Sequence, residues 1–132
     1  METRDEIISN LRGEAIGTIS NQSTPDERFQ NQVLRPILKF QNDLLLDVFR
    51  NYVTKYKNDF YGYTAEKKLQ YIENAIQKDI KFRNSLKGMV IALFTLEEYD
   101  MYIKNSSQLN KRMMNMVIER LKSQVQLFEL QA

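Results

Sequence analysis

Apolar residues recur along this chain at helical rather than strand spacing. Two stripes run side by side after residue 25. Phe29, Val33, Ile37, Phe40, Leu44, Val48 and Tyr52 form one, and Leu34, Leu38, Leu45, Phe49 and Tyr56 the other. Steps of three, four and seven residues place each set on one helix face. Together they predict a long first helix over about 25–58, apolar over an arc wide enough to be covered on more than one side. Thr24-Pro25-Asp26-Glu27 marks its start. Thr24 suits the N-cap, Pro25 the first helical position, and Glu27 completes a capping box. Pro36 lies inside the pattern. Its missing N–H and its clash with the preceding turn predict a kink near 32–36.

The next stripe, Leu69, Ile72, Ile76, Ile80, Val90, Ile91 and Phe94, predicts a helix over 65–94 capped by Thr64. It includes the longest unbroken apolar run, Met89 to Phe94. Gly88 lies opposite the stripe, where a second backbone could approach closely. Thr95-Leu96-Glu97-Glu98 is another capping box and predicts a short helix over 96–104. Asn105, with Gln108, is the expected cap of a last helix ending near 129. Its apolar face is Leu109, Met113, Met116, Val117, Leu121, Val125 and Phe128. No strand pattern is present. The expected fold is all-α, a bundle of about four helices with a kinked long first helix.

Residues 1–23 are expected to form an N-terminal arm, with 24–132 a single helical domain. Ile7, Ile8, Leu11, Ala15 and Ile19 recur at near-helical spacing. Gly13 and Gly17 interrupt them, each costing about 1 kcal/mol relative to Ala in a helix interior. A short helix and a flexible or extended arm, lying on the bundle or on a partner chain, both remain open.

Composition then narrows the chemistry. The 132 residues contain no cysteine and no histidine. Thiolate catalysis and zinc–thiolate sites are excluded, and the commonest general base is missing. Carboxylate metal sites in helical bundles use Glu-x-x-His pairs, so no metal and no cofactor is expected. The formal net charge is +2. Lys55, Lys57, Lys67, Lys68, Lys78, Lys81 and Lys87 alternate with tyrosines, but Asp59, Glu66, Glu73 and Asp79 dilute them. Nucleic-acid binding is therefore at most a weak alternative. No leader-like apolar segment opens the chain and no run approaches the ~20 residues of a membrane span, so the expected compartment is the cytoplasm.

The most specific feature is charge inside the apolar stripes. At ~100° per residue, Arg83 and Lys87 share a face with Ile76, Ile80, Val90 and Phe94, with Glu73 at its edge. Asp47, Asn51 and Gln41 fall within the apolar arc of the first helix. A guanidinium on an inward face must find acceptors. One reading is a structural pair, Arg83 with Asp47 as first choice or Glu73 as second. The other is a pocket in which Arg83 and Lys87, with Asp47 and Glu73 nearby, hold a small anion. Glu97, Glu98 and Asp100 are explained by the positive end of a helix. The expected function is a non-enzymatic helical interaction or scaffold protein. Its expected state is a homo-oligomer joined through the first and last helices. The alternative is a binder of, or enzyme for, a small anionic ligand.

Leu34-Arg35-Pro36-Ile37-Leu38-Lys39-Phe40-Gln41-Asn42-Asp43-Leu44, with Leu69-Gln70-Tyr71-Ile72-Glu73, Lys81-Phe82-Arg83-Asn84 and Phe94-Thr95-Leu96-Glu97-Glu98, resembles a small uncharacterised bacterial family. The resemblance covers most of residues 25–125 and implies an entirely helical fold. Some members carry the label "glyoxalase". Glyoxalases of the vicinal-oxygen-chelate kind use strand-rich modules with His and Glu metal ligands, which these residues do not supply. No functional residue carries over from the family.

Overall fold

The computed structural model describes residues 1–13, 24–56 and 59–128. Every regular element among them is helical. The α-helices are α1 (Arg4–Arg12), α2 (Pro25–Phe29), α3 (Arg35–Lys55), α4 (Ala65–Lys78), α5 (Ile80–Ile91), α6 (Leu96–Ile103) and α7 (Ser106–Ser123). Turns of 3-10 helix cover Phe60–Gly62 and Val125–Leu127. No helix among the described residues is long and apolar enough to cross a membrane. Ala15, Gly17, Ile19 and the end of the first helix expected near 58 fall outside these residues, as does the last position of the expected 106–129 helix.

The backbone stays helical from Pro25 to Lys55, with a π-helical segment, Gln30–Leu34, joining α2 to α3. Pro36 follows it in the first turn of α3. The wider π turn stands where a proline withholds a hydrogen bond and crowds the turn before it. Phe29, Val33, Ile37, Leu38, Leu45 and Phe49 are buried, but Phe40 and Leu44 are 48% and 50% exposed. The covered arc of the first helix is thus narrower than the stripes suggest.

Phe49 is the centre of the core. Its ring lies 5.6 Å from Phe60 and 5.0 Å from Phe128. Such aromatic pairs add about 0.5–1.5 kcal/mol beyond their buried area. Phe128 reaches the core because α7 stops at Ser123 and a 3-10 turn redirects the chain. Lys68 Nζ then donates to the Phe128 carbonyl at 2.9 Å.

The helix expected over 65–94 is two helices. Asp79 is extended (φ −87°, ψ 99°) and accepts from the Phe82 N–H, capping α5. The apolar stripe changes phase there. Ile72 and Ile76 are buried on α4, and Phe82, Leu86 and Val90 on α5, while Ile80 is 69% exposed. On one unbroken helix Phe82 would lie roughly 120° away from Ile76. A break lets both reach the core. Arg83 and Lys87 follow Phe82 and Leu86 by one residue, so they flank the buried face of α5 and are half-buried. Gly88 faces open space, since a Cβ built there meets nothing within 4 Å.

The threonine caps at Thr24, Thr64 and Thr95 are all made, and Thr95 and Glu98 form the reciprocal box. Asn105 makes no side-chain cap on α7. Its amide donates instead to Asp26 Oδ1 on α2 at 2.8 Å. Residues 4–12 of the expected arm are helical, opened by a Thr3–Glu6 capping box.

Candidate anion-binding site

The four residues singled out from the sequence do not meet. Asp47 is exposed and pairs with Arg50 one turn away at 2.9 Å. Glu73 pairs with Lys122 of α7 at 3.6 Å. No hydrogen bond or ion pair joins Arg83 or Lys87 to a partner among the described residues. The expected Arg83–Asp47 contact is therefore replaced by a local Asp47–Arg50 pair. The inward placement of Arg83 assumed an unbroken helix, and the break at Asp79 removes that assumption. Gln41 does lie in the arc, where it donates to the Met89 carbonyl at 3.1 Å. Asn51 is exposed.

Charge is concentrated instead along the seam between the first long helix and α7. At one end Asp26 accepts from Asn105 and lies 3.9 Å from Arg112 Nε. One turn on, Arg112 Nη1 donates to Gln30 Oε1 at 2.9 Å. At the far end Asn42 and Gln124 exchange amide hydrogen bonds of 2.9 and 2.7 Å. Donor meets acceptor at each of these contacts. Between them the seam carries Arg35 and Arg120, two like charges.

Arg35 and Arg120 line a cavity of about 380 Å³. Leu38 and Met116 supply its apolar surface, and Gln30, Ser123, Gln124 and Glu119 complete the lining. Met116, Arg120 and Ser123 are four and three residues apart, so one face of α7 presents them to the cavity. Arg120 reaches only the Asn42 amide oxygen, at 3.4 Å. Neither guanidinium has a carboxylate within ion-pair distance among the described residues. Burial first, and repulsion from Arg35 second, hold the Arg120 proton affinity below its ordinary value. An anion placed between the guanidiniums would offset the repulsion.

The arginines of α1 behave differently. Arg4 donates to the carbonyls of Ala92 and Phe94, each at 2.9 Å. Arg12, whose side chain is only 6% exposed, donates to the carbonyls of Leu93 and Gln32 and forms a two-pronged pair with Glu98. Asp5 accepts from the Leu96 N–H at 3.2 Å. These groups satisfy the carbonyls at the end of α5 and an orphan amide at the start of α6. α1 is a structural clamp with a single buried residue, Ile8.

A second cleft, of about 650 Å³, opens at the α4–α5 break between Tyr52, Tyr71, Lys78, Asp79 and Lys81. Tyr52 donates to Asp79 Oδ2 at 2.9 Å. Burial, with the bond to Asp79, pushes the phenol well above its ordinary value. The amide of Phe82 and the hydroxyl of Tyr52 pull Asp79 below the usual carboxylate range. Asp79 is thus already satisfied. The Tyr52 ring stacks on Phe82 at 4.0 Å and lies tilted against Tyr56 at 4.7 Å. No group of three or more acidic residues suited to a metal ion occurs among the described residues.

Sequence reasoning missed Arg35 and Arg120 because each falls beside an apolar stripe rather than in it. The available signal was pairwise. Gln30, Arg35 and Asn42 follow one edge of the first helix, and Arg112, Arg120 and Gln124 one edge of the last, with few acids among them. No family model, no curated protein and no solved structure matches the chain.

Proposed function

We propose that the protein is a helical binding protein that holds the anionic group of a small molecule between Arg35 and Arg120. The observation that carries this reading is the like-charged stretch in a seam otherwise matched donor to acceptor. Arg35 is exposed and Arg120 half-buried, and a leucine or glutamine at either position would remove their repulsion. A cavity of about 380 Å³ lies within the range of small-ligand sites, and its lining is mainly polar. Two guanidiniums favour a carboxylate or phosphate, whose oxygens accept paired N–H bonds. The ligand class is that of the alternative reading of the sequence, with Arg35 and Arg120 in place of Arg83, Lys87, Asp47 and Glu73.

Thermal unfolding with added inorganic phosphate, against chloride at matched ionic strength, tests this reading. Wild type should gain on the order of 3 °C at saturating phosphate. Arg35→Gln and Arg120→Gln should lose most of that gain. An equal gain in both variants would remove the site.

A second reading, self-association as a scaffold, is favoured by one observation. Phe40 and Leu44 stand one turn apart on α3 and are half exposed. Such a patch on the first helix suits a homodimer seam. Sedimentation at micromolar concentration giving a monomer would end this reading and leave the first untouched.

A further inference from the structure

The cavity between Arg35 and Arg120 holds one more charge, Glu119, on its wall. Glu119 is exposed and has no ion-pair partner among the described residues. It precedes Arg120 on α7, so a carboxylate and a guanidinium flank one point of the cavity from the same turn. For a simple anion this arrangement is poor, since Glu119 repels whatever the arginines attract. A ligand that carries a cation next to its anion converts the repulsion into attraction. Met116, half-buried, adds an apolar surface beside these charges.

We propose that the ligand is a zwitterion, an α-amino acid with an apolar side chain. Its carboxylate sits between Arg35 and Arg120, its ammonium pairs with Glu119, and its side chain rests on the half-buried Met116. The proposal rests on the anion-binding reading of the two arginines and adds the role of Glu119. An ammonium and a carboxylate borne on one carbon match a site whose positive and negative groups are neighbours. A hydrogen bond between charged groups in a partly dry site is worth about tenfold or more in affinity.

Calorimetric titration with three matched probes tests it. L-leucine carries both charges, 4-methylpentanoate lacks the ammonium, and 3-methylbutylamine lacks the carboxylate. Wild type should bind L-leucine about tenfold tighter than 4-methylpentanoate and should not bind the amine measurably. Glu119→Gln lies on the surface and leaves the fold intact. It should weaken L-leucine to the level of 4-methylpentanoate, and leave the latter equal or tighter. Arg120→Gln should abolish both. Equal binding of L-leucine and 4-methylpentanoate to wild type, unchanged by Glu119→Gln, overturns the zwitterion while the arginine site stands. Binding of inorganic phosphate without binding of L-leucine overturns it in the same way. Failure of phosphate and of all three probes overturns both.

Discussion

Two pairs of arginines in this protein differ in what they face. Arg4 and Arg12 on α1 end on carbonyls and on Glu98, and Arg12 is almost wholly buried in doing so. Arg35 and Arg120, across the seam from one another, share a cavity without a carboxylate partner. The residue type is the same and so is the charge. A guanidinium whose terminal nitrogens all end on carbonyls and a carboxylate is part of the fold, even though the buried Arg12 Nε has no partner, whereas two guanidiniums that face one another repel until an anion lies between them. Burial and charge alone would rank Arg12 as the better candidate site. The inventory of acceptors reverses that ranking.

The largest expected effect comes from breaking the Arg12–Glu98 pair. Arg12→Ala leaves Glu98 with the Thr95 N–H as its remaining donor and leaves the carbonyls of Leu93 and Gln32 without the guanidinium. A loss of about 3–5 kcal/mol is expected in urea unfolding. Arg12→Met should lose less, because it restores packing volume. A loss below ~1 kcal/mol in Arg12→Ala would mean that α1 is not clamped in this way.

A polar contact satisfied on both sides should fall between the extremes. Tyr52→Phe deletes the hydroxyl that Asp79 accepts, at an expected cost of about 1 kcal/mol at neutral pH. Asp79 is held below its ordinary value of 3.8 in the fold. Its ionised form therefore stabilises the protein above that value, and the contribution is lost as pH falls through the lower, folded value. Tyr52→Phe should flatten this acid limb, since the Tyr52 hydroxyl, which with the Phe82 amide and Lys81 lowers Asp79, is gone. Tyr52 itself is raised above 10.0. Its contribution is complete below that value and is lost as pH rises through the folded one. Unfolding curves between pH 2 and 5 check the acid limb, and an unchanged slope in Tyr52→Phe would contradict it.

The smallest expected effect has the opposite sign. Arg120→Leu should leave the free protein within about 1 kcal/mol of wild type, on the more stable side, because it removes a desolvated charge that repels Arg35. The same variant should show no stabilisation by phosphate. Chemical unfolding at low salt measures it, and a clear loss of stability would place Arg120 with Arg12 as a structural residue.

Most of the fold was legible in the sequence because caps and stripes are local. Thr24, Thr64 and Thr95 cap the helices their spacing announces, and Phe29, Val33, Ile37, Leu38, Leu45 and Phe49 face inward on both sides of the π turn. What was not legible depends on phase and on neighbours. Lys78-Asp79-Ile80 contains neither glycine nor proline, so the break shows only as the missed step from Ile76 to Phe82. Carrying the stripe through it put Arg83 and Lys87 on the wrong face. Asn105 looked like a cap by position, but Asp26, distant in sequence, takes its amide. The pairing of Arg35 with Arg120 joins two helices across most of the chain, and no single window of sequence contains it.

The central claim is that Arg35 and Arg120 oppose one another in the free protein and cooperate around an anion. A double-mutant cycle of Arg35→Gln and Arg120→Gln, read by equilibrium unfolding at low salt, tests this most directly. Each single variant should be at least as stable as wild type, and the second substitution should add little. That pattern is a repulsive coupling, and saturating phosphate should cancel or reverse its sign. Strictly additive variants, or single variants that lose stability as Arg12→Ala does, with phosphate making no difference, would contradict the account.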